Sequence, residues 1–139
     1  MSKREREAEE VARALRNWIG EGEPLYIWDY GLDVYWRTKT RPASRYLTPY
    51  YITGRFPEIS TEYAPPDEPF WPEARMNFVE DLKRAKPRLI LDVSGTLVAL
   101  PYQEVVDFIK ANYRFEQNIG PDPARPFAVY RLVPAADAE

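Results

Sequence analysis

The sequence predicts an α/β fold: a three-layer sandwich with a mainly parallel sheet, helices on both faces and an antiparallel C-terminal edge strand. Three observations support this prediction. Amphipathic helical stretches alternate along the chain with short apolar strands, which is the pattern of a sheet covered by helices. The segment 88–93 is apolar almost throughout, as expected of a strand buried on both faces. The last two predicted strands have no helix between them, so the final one should lie antiparallel at an edge.

The first half of the chain is predicted to contain two helices and one strand. Apolar residues at helical spacing predict a helix over 4–19. Pro24 then precedes the apolar run 25–28, which is predicted to be a buried strand closed by a turn. A short helix is expected over 32–36, and it should end before Pro42 because residues that precede proline avoid helical geometry.

The second half begins with an irregular segment. Six prolines punctuate residues 47–72, and a loop of this length in a compact domain is either functional or mobile. Helices are predicted to start at Pro72 and Pro101, because proline is favoured at the first position of a helix. The predicted strands are 88–93, 113–117 and 127–133, and the C-terminal segment 134–139 is expected to fray.

Length and composition predict one domain over residues 1–139 and narrow its chemistry. The chain has no Cys and no His, which removes thiolate nucleophiles, cysteine zinc sites and serine–histidine hydrolysis. Neither a metal site nor a cofactor is predicted. The net charge of −3 argues against binding nucleic acid through a broad basic surface.

The isolated chain is predicted to be soluble and monomeric. Its longest apolar runs fall far short of the roughly 18 to 20 residues that a membrane helix needs. The N-terminal segment MSKREREAEE is charged throughout, unlike a secretory signal peptide. Taken by itself, the chain should therefore stay in the compartment where it is made.

Residues 26–51 are unusually rich in aromatic and basic side chains. Eight aromatic residues lie there, and no acid occurs between Asp33 and Glu58. Rings that stack and guanidinium groups that bind oxyanions are suited to a sugar or a sugar phosphate. The candidate substrate- or anion-binding residues are Asp29, Trp36, Arg37, Arg41, Arg45 and Tyr46.

These candidate residues also have structural interpretations, which the sequence leaves open. Aromatic residues in such number commonly fill a core, and arginine stacked on a ring is common at protein surfaces. Asp29 ends a predicted parallel strand, where ligands bind in such sheets, but a carboxylate at this position also caps turns and helices. In the structural interpretation, Arg45 pairs internally with Asp29 or Asp33 and braces the turn.

The segment LILDVSGTLV is an apolar strand that ends in a D-x-x-G-T pattern. It resembles the first motif of the haloacid dehalogenase phosphatases. The alternative function is therefore a free-standing phosphatase-like hydrolase with Asp92 as the nucleophile. Ser94 stands where that family has a second aspartate. The later aspartates are Asp107, Asp122 and Asp137, and their positions do not predict a Mg²⁺ site.

Motifs along nearly the whole chain resemble one family of membrane enzymes. The charged amphipathic helix is followed by an aromatic strand end at 26–28 and by an R-P-x-S-R-aromatic turn at 41–46. An acidic–leucine helix then leads into the strand at 88–92, and the chain closes on N-Y-R and V-Y-R motifs at 112–114 and 129–131. The chain resembles the soluble C-terminal domain of bacterial dolichyl-phosphate-mannose protein mannosyltransferase-like glycosyltransferases of the GT-C superfamily.

The resemblance implies an accessory domain on the extracytoplasmic face of a membrane enzyme that uses a lipid-linked sugar phosphate as donor. Its implied partners are the transmembrane portion of the parent enzyme and the lipid-linked sugar or the acceptor. Neither the membrane helices nor the early extracytoplasmic loop that carries the family's catalytic acid is present in this sequence. The isolated chain is therefore expected to have no catalytic activity, and no catalytic residue is assigned.

Overall fold

The computed structural model describes residues 1–29 and 31–134 and has an α/β fold with a five-stranded mixed sheet. The strands are β1 (Pro24–Trp28), β2 (Arg41–Pro42), β3 (Leu89–Asp92), β4 (Tyr113–Ile119) and β5 (Phe127–Leu132). The helices are α1 (Lys3–Leu15), α2 (Leu32–Thr38), α3 (Tyr50–Thr53), α4 (Ala74–Ala85) and α5 (Gln103–Asn112), with a short 3-10 helix at Leu97–Ala99. Tyr30 of the aromatic segment, and residues 135–139, where fraying is predicted, lie outside the described residues.

The strand order is β2-β1-β3-β5-β4. β1 pairs parallel with β2 and with β3, whereas β5 pairs antiparallel with β3 and with β4. The sheet is therefore mixed, in place of the mainly parallel sheet that the sequence predicts. The prediction that the last strand runs antiparallel is confirmed, but its predicted edge position is wrong, because β4 occupies that edge.

Burial explains why β5, and not β4, lies inside the sheet. Val129 of β5 is fully buried and belongs to the hydrophobic core. Residues 114–118 of β4 are all exposed, and a register irregularity between Phe115 and Gln117 interrupts the ladder. An exposed strand with a bulge is suited to an edge, because a bulge hinders pairing with another chain.

The helix ends depart slightly from the predicted bounds. α1 begins with a capping box, in which the side chains of Ser2 and Glu5 each accept a hydrogen bond from the other residue's backbone N–H. It ends at Leu15, earlier than predicted, although Ile19 beyond it remains buried. α4 begins at Ala74, after the predicted proline start.

β2 has no counterpart among the predicted strands. It is two residues long, and it forms because its backbone pairs with β1. The N–H of Arg41 donates to the carbonyl of Glu23 at 2.9 Å, and the N–H of Ala43 donates to the carbonyl of Leu25 at 2.9 Å. Both residues of β2 are exposed, so the strand carries no hydrophobic alternation from which it could be predicted.

The hydrophobic core consists of two clusters that share the strands. Leu25 and Ile27 of β1 pack in one cluster with residues of α1 and α2, whereas Tyr26 and Trp28 pack in the other with residues of α4 and α5. This division follows from the two-residue period of a strand. β3 is buried along its whole length at the centre of the strand order, so the prediction of a central buried strand is confirmed.

The proline-rich segment 47–72 is held in place by side chains from the helices that follow it. α3 supplies one turn of helix within the segment. The guanidinium group of Arg75, on α4, donates to two proline carbonyls of the segment. The hydroxyl of Tyr102, at the start of α5, lies within hydrogen-bond distance of two more of its carbonyls, at 3.0 and 2.9 Å. The segment is thereby fixed next to the carboxyl ends of β1 and β3.

Candidate functional site

The six candidate residues of the aromatic and basic segment lie in separate parts of the fold. Trp36 and Arg37 are on α2. Arg41 is on β2, Arg45 is in the turn after it, and Asp29 follows the end of β1. The remaining residue, Tyr46, is half-buried against the core. The fold therefore does not bring the whole set together.

Trp36 and Arg37 lie on α2 next to α1. Trp36 is 78% exposed. Arg37 and Arg16 each contact one carboxylate oxygen of Glu9 through Nη1 at 3.0 Å, and Arg16 also donates to the carbonyl of Arg37 at 2.8 Å. Arg37 therefore joins α2 to α1, while Trp36 presents an open ring surface beside it.

Arg45 forms a bidentate ion pair with Asp81 of α4. Its Nη2 donates to Oδ1 at 2.8 Å, and its Nε donates to Oδ2 at 3.0 Å. The backbone N–H of Arg45 and the hydroxyl of Ser44 donate to the same Oδ2, at 3.0 and 3.2 Å. Arg45 therefore has an internal partner, which is Asp81 in place of Asp29 or Asp33.

The pKa of Asp81 reflects this contact. Burial by itself raises the pKa of the carboxyl, but the hydrogen bonds from Arg45 and Ser44 outweigh burial and hold the pKa below its usual value. The ionised carboxylate fixes the guanidinium plane of Arg45. Within the described residues, Nη1 of Arg45 has no hydrogen-bond partner, so it remains available to a ligand.

Arg45 shares a shallow surface depression of about 730 Å³ with two further arginines. Arg41, on β2, donates from Nε to the carbonyl of Gly22 at 2.7 Å, and Arg84 is exposed in the last turn of α4. We call Arg41, Arg45 and Arg84 the arginine face. Among the described residues, Asp81 is the only acid that lines it.

Arg84 is absent from the candidate residues that the sequence suggests. Basic residues are common in the last turn of a helix, where they complement the helix dipole, so its position in sequence carries no functional signal. Only the packing of α4 against the turn after β2 brings Arg84 to the same depression as Arg41 and Arg45.

Tyr46 and Asp29 do not line the depression of the arginine face. The carbonyl of Tyr46 accepts the hydroxyl of Tyr26 at 3.2 Å, and the hydroxyl of Tyr46 accepts the amide of Asn77 at 3.4 Å. Asp29 follows β1 with a φ of +92°, a left-handed conformation that is uncommon and strained for a residue with a Cβ atom. It lines a different concavity, at the carboxyl ends of β1 and β3.

Asp92 ends β3 and is 1% exposed. Its Oδ1 accepts the N–H of Gly95 at 2.9 Å, and its Oδ2 accepts the N–H of Leu97 at 3.0 Å. Burial raises the pKa of this carboxyl, and the N–H groups of residues 94–97 counteract part of the increase. A nucleophile needs an accessible oxygen, whereas both oxygens of Asp92 accept hydrogen bonds from the backbone of the loop that follows β3. The geometry therefore favours a capping role over the phosphatase alternative.

Comparisons of the chain with protein-family models, with curated proteins and with solved structures found no match. Within residues 1–29 and 31–134, no group of three or more acidic side chains is arranged to hold a metal ion. No helix in this described part is long and apolar enough to cross a membrane. The resemblance to membrane glycosyltransferases therefore rests on the sequence motifs and is a hypothesis.

Proposed function

We propose that this chain is a non-catalytic accessory domain of a membrane glycosyltransferase that uses a lipid-linked sugar phosphate donor. The domain lies on the extracytoplasmic face of the membrane, beside the transmembrane portion of its parent enzyme. Its ligands are the lipid-linked sugar or the acceptor, together with phosphate groups at the membrane surface. The arginine face is the observation that carries the proposal, and the sequence motifs support the identity of the parent.

The arginine face has the composition of a phosphate-binding surface. Three guanidinium groups and one carboxylate leave a local charge of +2, in a chain whose net charge is −3. A guanidinium group is suited to phosphate because it donates two parallel N–H bonds to an oxyanion. Asp81 holds Arg45 in place, so less side-chain freedom is lost on binding.

We also infer a three-layer arrangement, with α1 and α2 on one face of the sheet and α4 and α5 on the other. The two core clusters support it, because alternate residues of β1 pack with these two pairs of helices. In this arrangement Arg41 lies at the β2 edge of the sheet, beside the C-terminal end of α4.

Vesicle binding tests the role of the arginine face. Arg41→Gln with Arg84→Gln removes two charges and leaves the contact between Arg45 and Asp81 intact. Binding to phosphatidylcholine vesicles that contain phosphatidylglycerol is expected to fall about tenfold or more, because each basic residue near an anionic surface contributes about 1 kcal/mol. Vesicles of phosphatidylcholine alone should bind neither form.

Arg13→Gln with Arg114→Gln is the matched control, because it removes the same charge from two exposed arginines outside the arginine face. An equal loss of binding in both double variants would reveal only a net-charge effect and would contradict the proposal. In the parent enzyme, the substitutions at Arg41 and Arg84 are expected to lower sugar transfer, while the melting temperature of the isolated chain changes little.

A further inference from the structure

A second concave site lies at the carboxyl ends of β1 and β3, and we call it the strand-end cleft. Its volume is about 450 Å³, within the range of small-molecule sites. The carboxyl ends of parallel strands are also where α/β sheets bind ligands. The cleft is formed by the end of β1, the loop after β3 and the segment 49–63. Its polar and aromatic lining includes Asp29, Tyr50, Arg55, Tyr63, Ser94 and Thr96.

Arg55 supplies the positive charge of the strand-end cleft. Its guanidinium carbon lies 4.9 Å from the ring centroid of Tyr63, and this cation–π contact restrains the side chain without using its N–H groups. Among the described residues, no carboxylate forms an ion pair with Arg55, and no other Lys or Arg lines the cleft. Its N–H donors are therefore available for an oxyanion.

The hydroxyls of Thr96 and Ser94 form a short hydrogen-bonded chain that reaches the cleft. The indole N–H of Trp28 donates to Thr96 Oγ1 at 3.0 Å, and Thr96 Oγ1 lies 2.7 Å from Ser94 Oγ. Because an indole can only donate, Thr96 accepts from it and can donate to Ser94. When Thr96 donates to Ser94, the Ser94 hydroxyl is left with only a weak acceptor inside the protein, because its Oγ lies 3.5 Å from Oδ1 of Asp92. Ser94 therefore offers a donor to a ligand oxygen.

Asp29 supplies a negative group in the same cleft. Its carboxylate can accept hydrogen bonds from ligand hydroxyls. Its strained backbone, with a φ of +92°, is of the kind that is concentrated at functional sites. The rings of Tyr50 and Tyr63 add apolar faces that suit the C–H groups of a sugar ring.

We propose that the strand-end cleft binds a monosaccharide that carries one oxyanion, either a phosphate or a carboxylate. The oxyanion contacts Arg55, sugar hydroxyls donate to Asp29 and accept from Ser94, and the sugar ring packs against the tyrosine rings. One cation together with one carboxylate favours this class over a free polyanion, because the carboxylate repels excess negative charge. The cleft is separate from the arginine face, and the proposal does not depend on the membrane role.

NMR titration of the ¹⁵N-labelled chain tests the ligand class with glucose 1-phosphate, glucuronate, glucose and inorganic phosphate. The two anionic sugars are expected to shift the amide signals of residues 58–63 and 94–97. They should bind at least about tenfold more tightly than glucose or inorganic phosphate, which each lack one part of the recognition. The ratio between the two anionic sugars identifies the preferred oxyanion. Failure of both to bind at millimolar concentration overturns the proposal, as do shifts confined to the arginine face.

The variant Arg55→Gln tests the cleft itself. Its matched control is Arg125→Gln, which replaces an exposed arginine between β4 and β5. Arg55→Gln is expected to weaken binding of glucose 1-phosphate about tenfold or more, and Arg55→Lys should keep part of the affinity. Ser94→Ala should weaken binding about threefold by removing one donor. Arg41→Gln with Arg84→Gln should leave the affinity measured from the amide shifts of residues 58–63 and 94–97 unchanged, because neither arginine lines the cleft.

Equal affinities of Arg55→Gln and Arg125→Gln for glucose 1-phosphate overturn the proposal. Melting temperatures verify that each variant keeps the fold, which is expected for Arg55 because this residue is exposed. If Arg55→Gln lowers the melting temperature, Ser94→Ala is compared with the wild type instead. Wild-type affinity of Ser94→Ala for glucose 1-phosphate then overturns the proposal. Loss of binding through Arg41→Gln with Arg84→Gln contradicts the assignment to the cleft, whatever the outcome of the vesicle experiment.

Discussion

Two aspartates among the described residues, Asp81 and Asp92, are buried, and hydrogen bonds satisfy them in different ways. Asp81 accepts from a guanidinium group, a hydroxyl and a backbone N–H, and so it fixes Arg45 at the surface. Asp92 accepts from backbone N–H groups and so fixes the loop that carries Ser94. In both cases hydrogen bonds offset the cost of burying a charge. The two carboxylates therefore position residues of the proposed sites from beneath the surface.

Asp92→Asn is expected to lower the free energy of unfolding by about 1–3 kcal/mol, because one acceptor oxygen becomes an NH₂ group that faces a backbone N–H. Neither the wild type nor the variant is expected to hydrolyse p-nitrophenyl phosphate with Mg²⁺ present. Chemical denaturation measures the first effect, and nitrophenol release measures the second. The exposed Asp67→Asn is the control and should change neither quantity. Metal-dependent hydrolysis that Asp92→Asn abolishes would restore the phosphatase alternative.

At the scale of elements, the proline-rich segment 47–72 depends on helices outside it. Arg75 of α4 is 5% exposed, and its guanidinium carbon lies 3.5 Å from the ring centroid of Tyr102. Its Nη1 donates to the carbonyl of Pro66 at 2.7 Å, and its Nη2 donates to that of Pro65 at 3.2 Å. Because prolines lack an N–H, the segment has few donors for a regular ladder, and side chains from the helices hold it instead. These contacts hold the part of the segment that directly follows Tyr63, which lines the strand-end cleft.

Arg75→Met keeps much of the aliphatic stem but removes every N–H donor. We expect it to lower the free energy of unfolding by about 1–3 kcal/mol, because carbonyl groups lose their partners. Amide hydrogen exchange should become faster at Ala64, whose N–H donates to the carbonyl of Thr53 at 2.7 Å. Lys83→Met, at an exposed position on the same helix, is the control. Wild-type exchange at Ala64 in the Arg75 variant would show that Arg75 does not hold the segment.

At the scale of the whole molecule, β3 connects the two halves of the core. Leu89 and Leu91 pack in the cluster with α1 and α2, and Ile90 packs in the cluster with α4 and α5. β3 is parallel to β1, so the carboxyl ends of the two strands come together and form the strand-end cleft. The arginine face lies instead at the β2 edge of the sheet. The sheet therefore keeps the two proposed sites apart.

Native-state hydrogen exchange should be slowest at residues 89–91. These amides belong to a strand that is buried along its length and paired on both sides, so they should exchange only through global unfolding. The exposed residues 114–118 of β4 should exchange faster, because β4 is paired only with β5 within the described sheet. NMR detection of both sets in one sample supplies the internal control. Equal exchange rates in the two strands would contradict the central position of β3.

The strands that are predicted correctly carry a local signal. β1 and β3 are runs of apolar residues, and burial of those runs needs no information about which segment covers them. β2 and the order of β4 and β5 carry no such signal, because they depend on backbone pairing between distant segments. The position of β5 follows from burying Val129 beside β3, a choice that appears only when the strands are assembled.

Composition and periodicity alone establish the chemistry available to the chain. The chain contains no Cys or His, and the acid-free stretch between Asp33 and Glu58 concentrates aromatic and basic side chains. The same patterns place Asp29 at the end of a strand, and the structure confirms that position. These properties are readable from the sequence because each belongs to one residue or to neighbours on one element.

Three-dimensional packing decided which side chains meet. Arg45 pairs with Asp81, and Arg84 lines the same depression. Asp81 and Arg84 both belong to α4, which is far from Arg45 in the sequence. Arg55 and Ser94 likewise share a cleft only because the proline-rich segment folds over the ends of β1 and β3. The physical reason is that these contacts depend on how separate elements pack together, and no periodicity within a single element reports that packing.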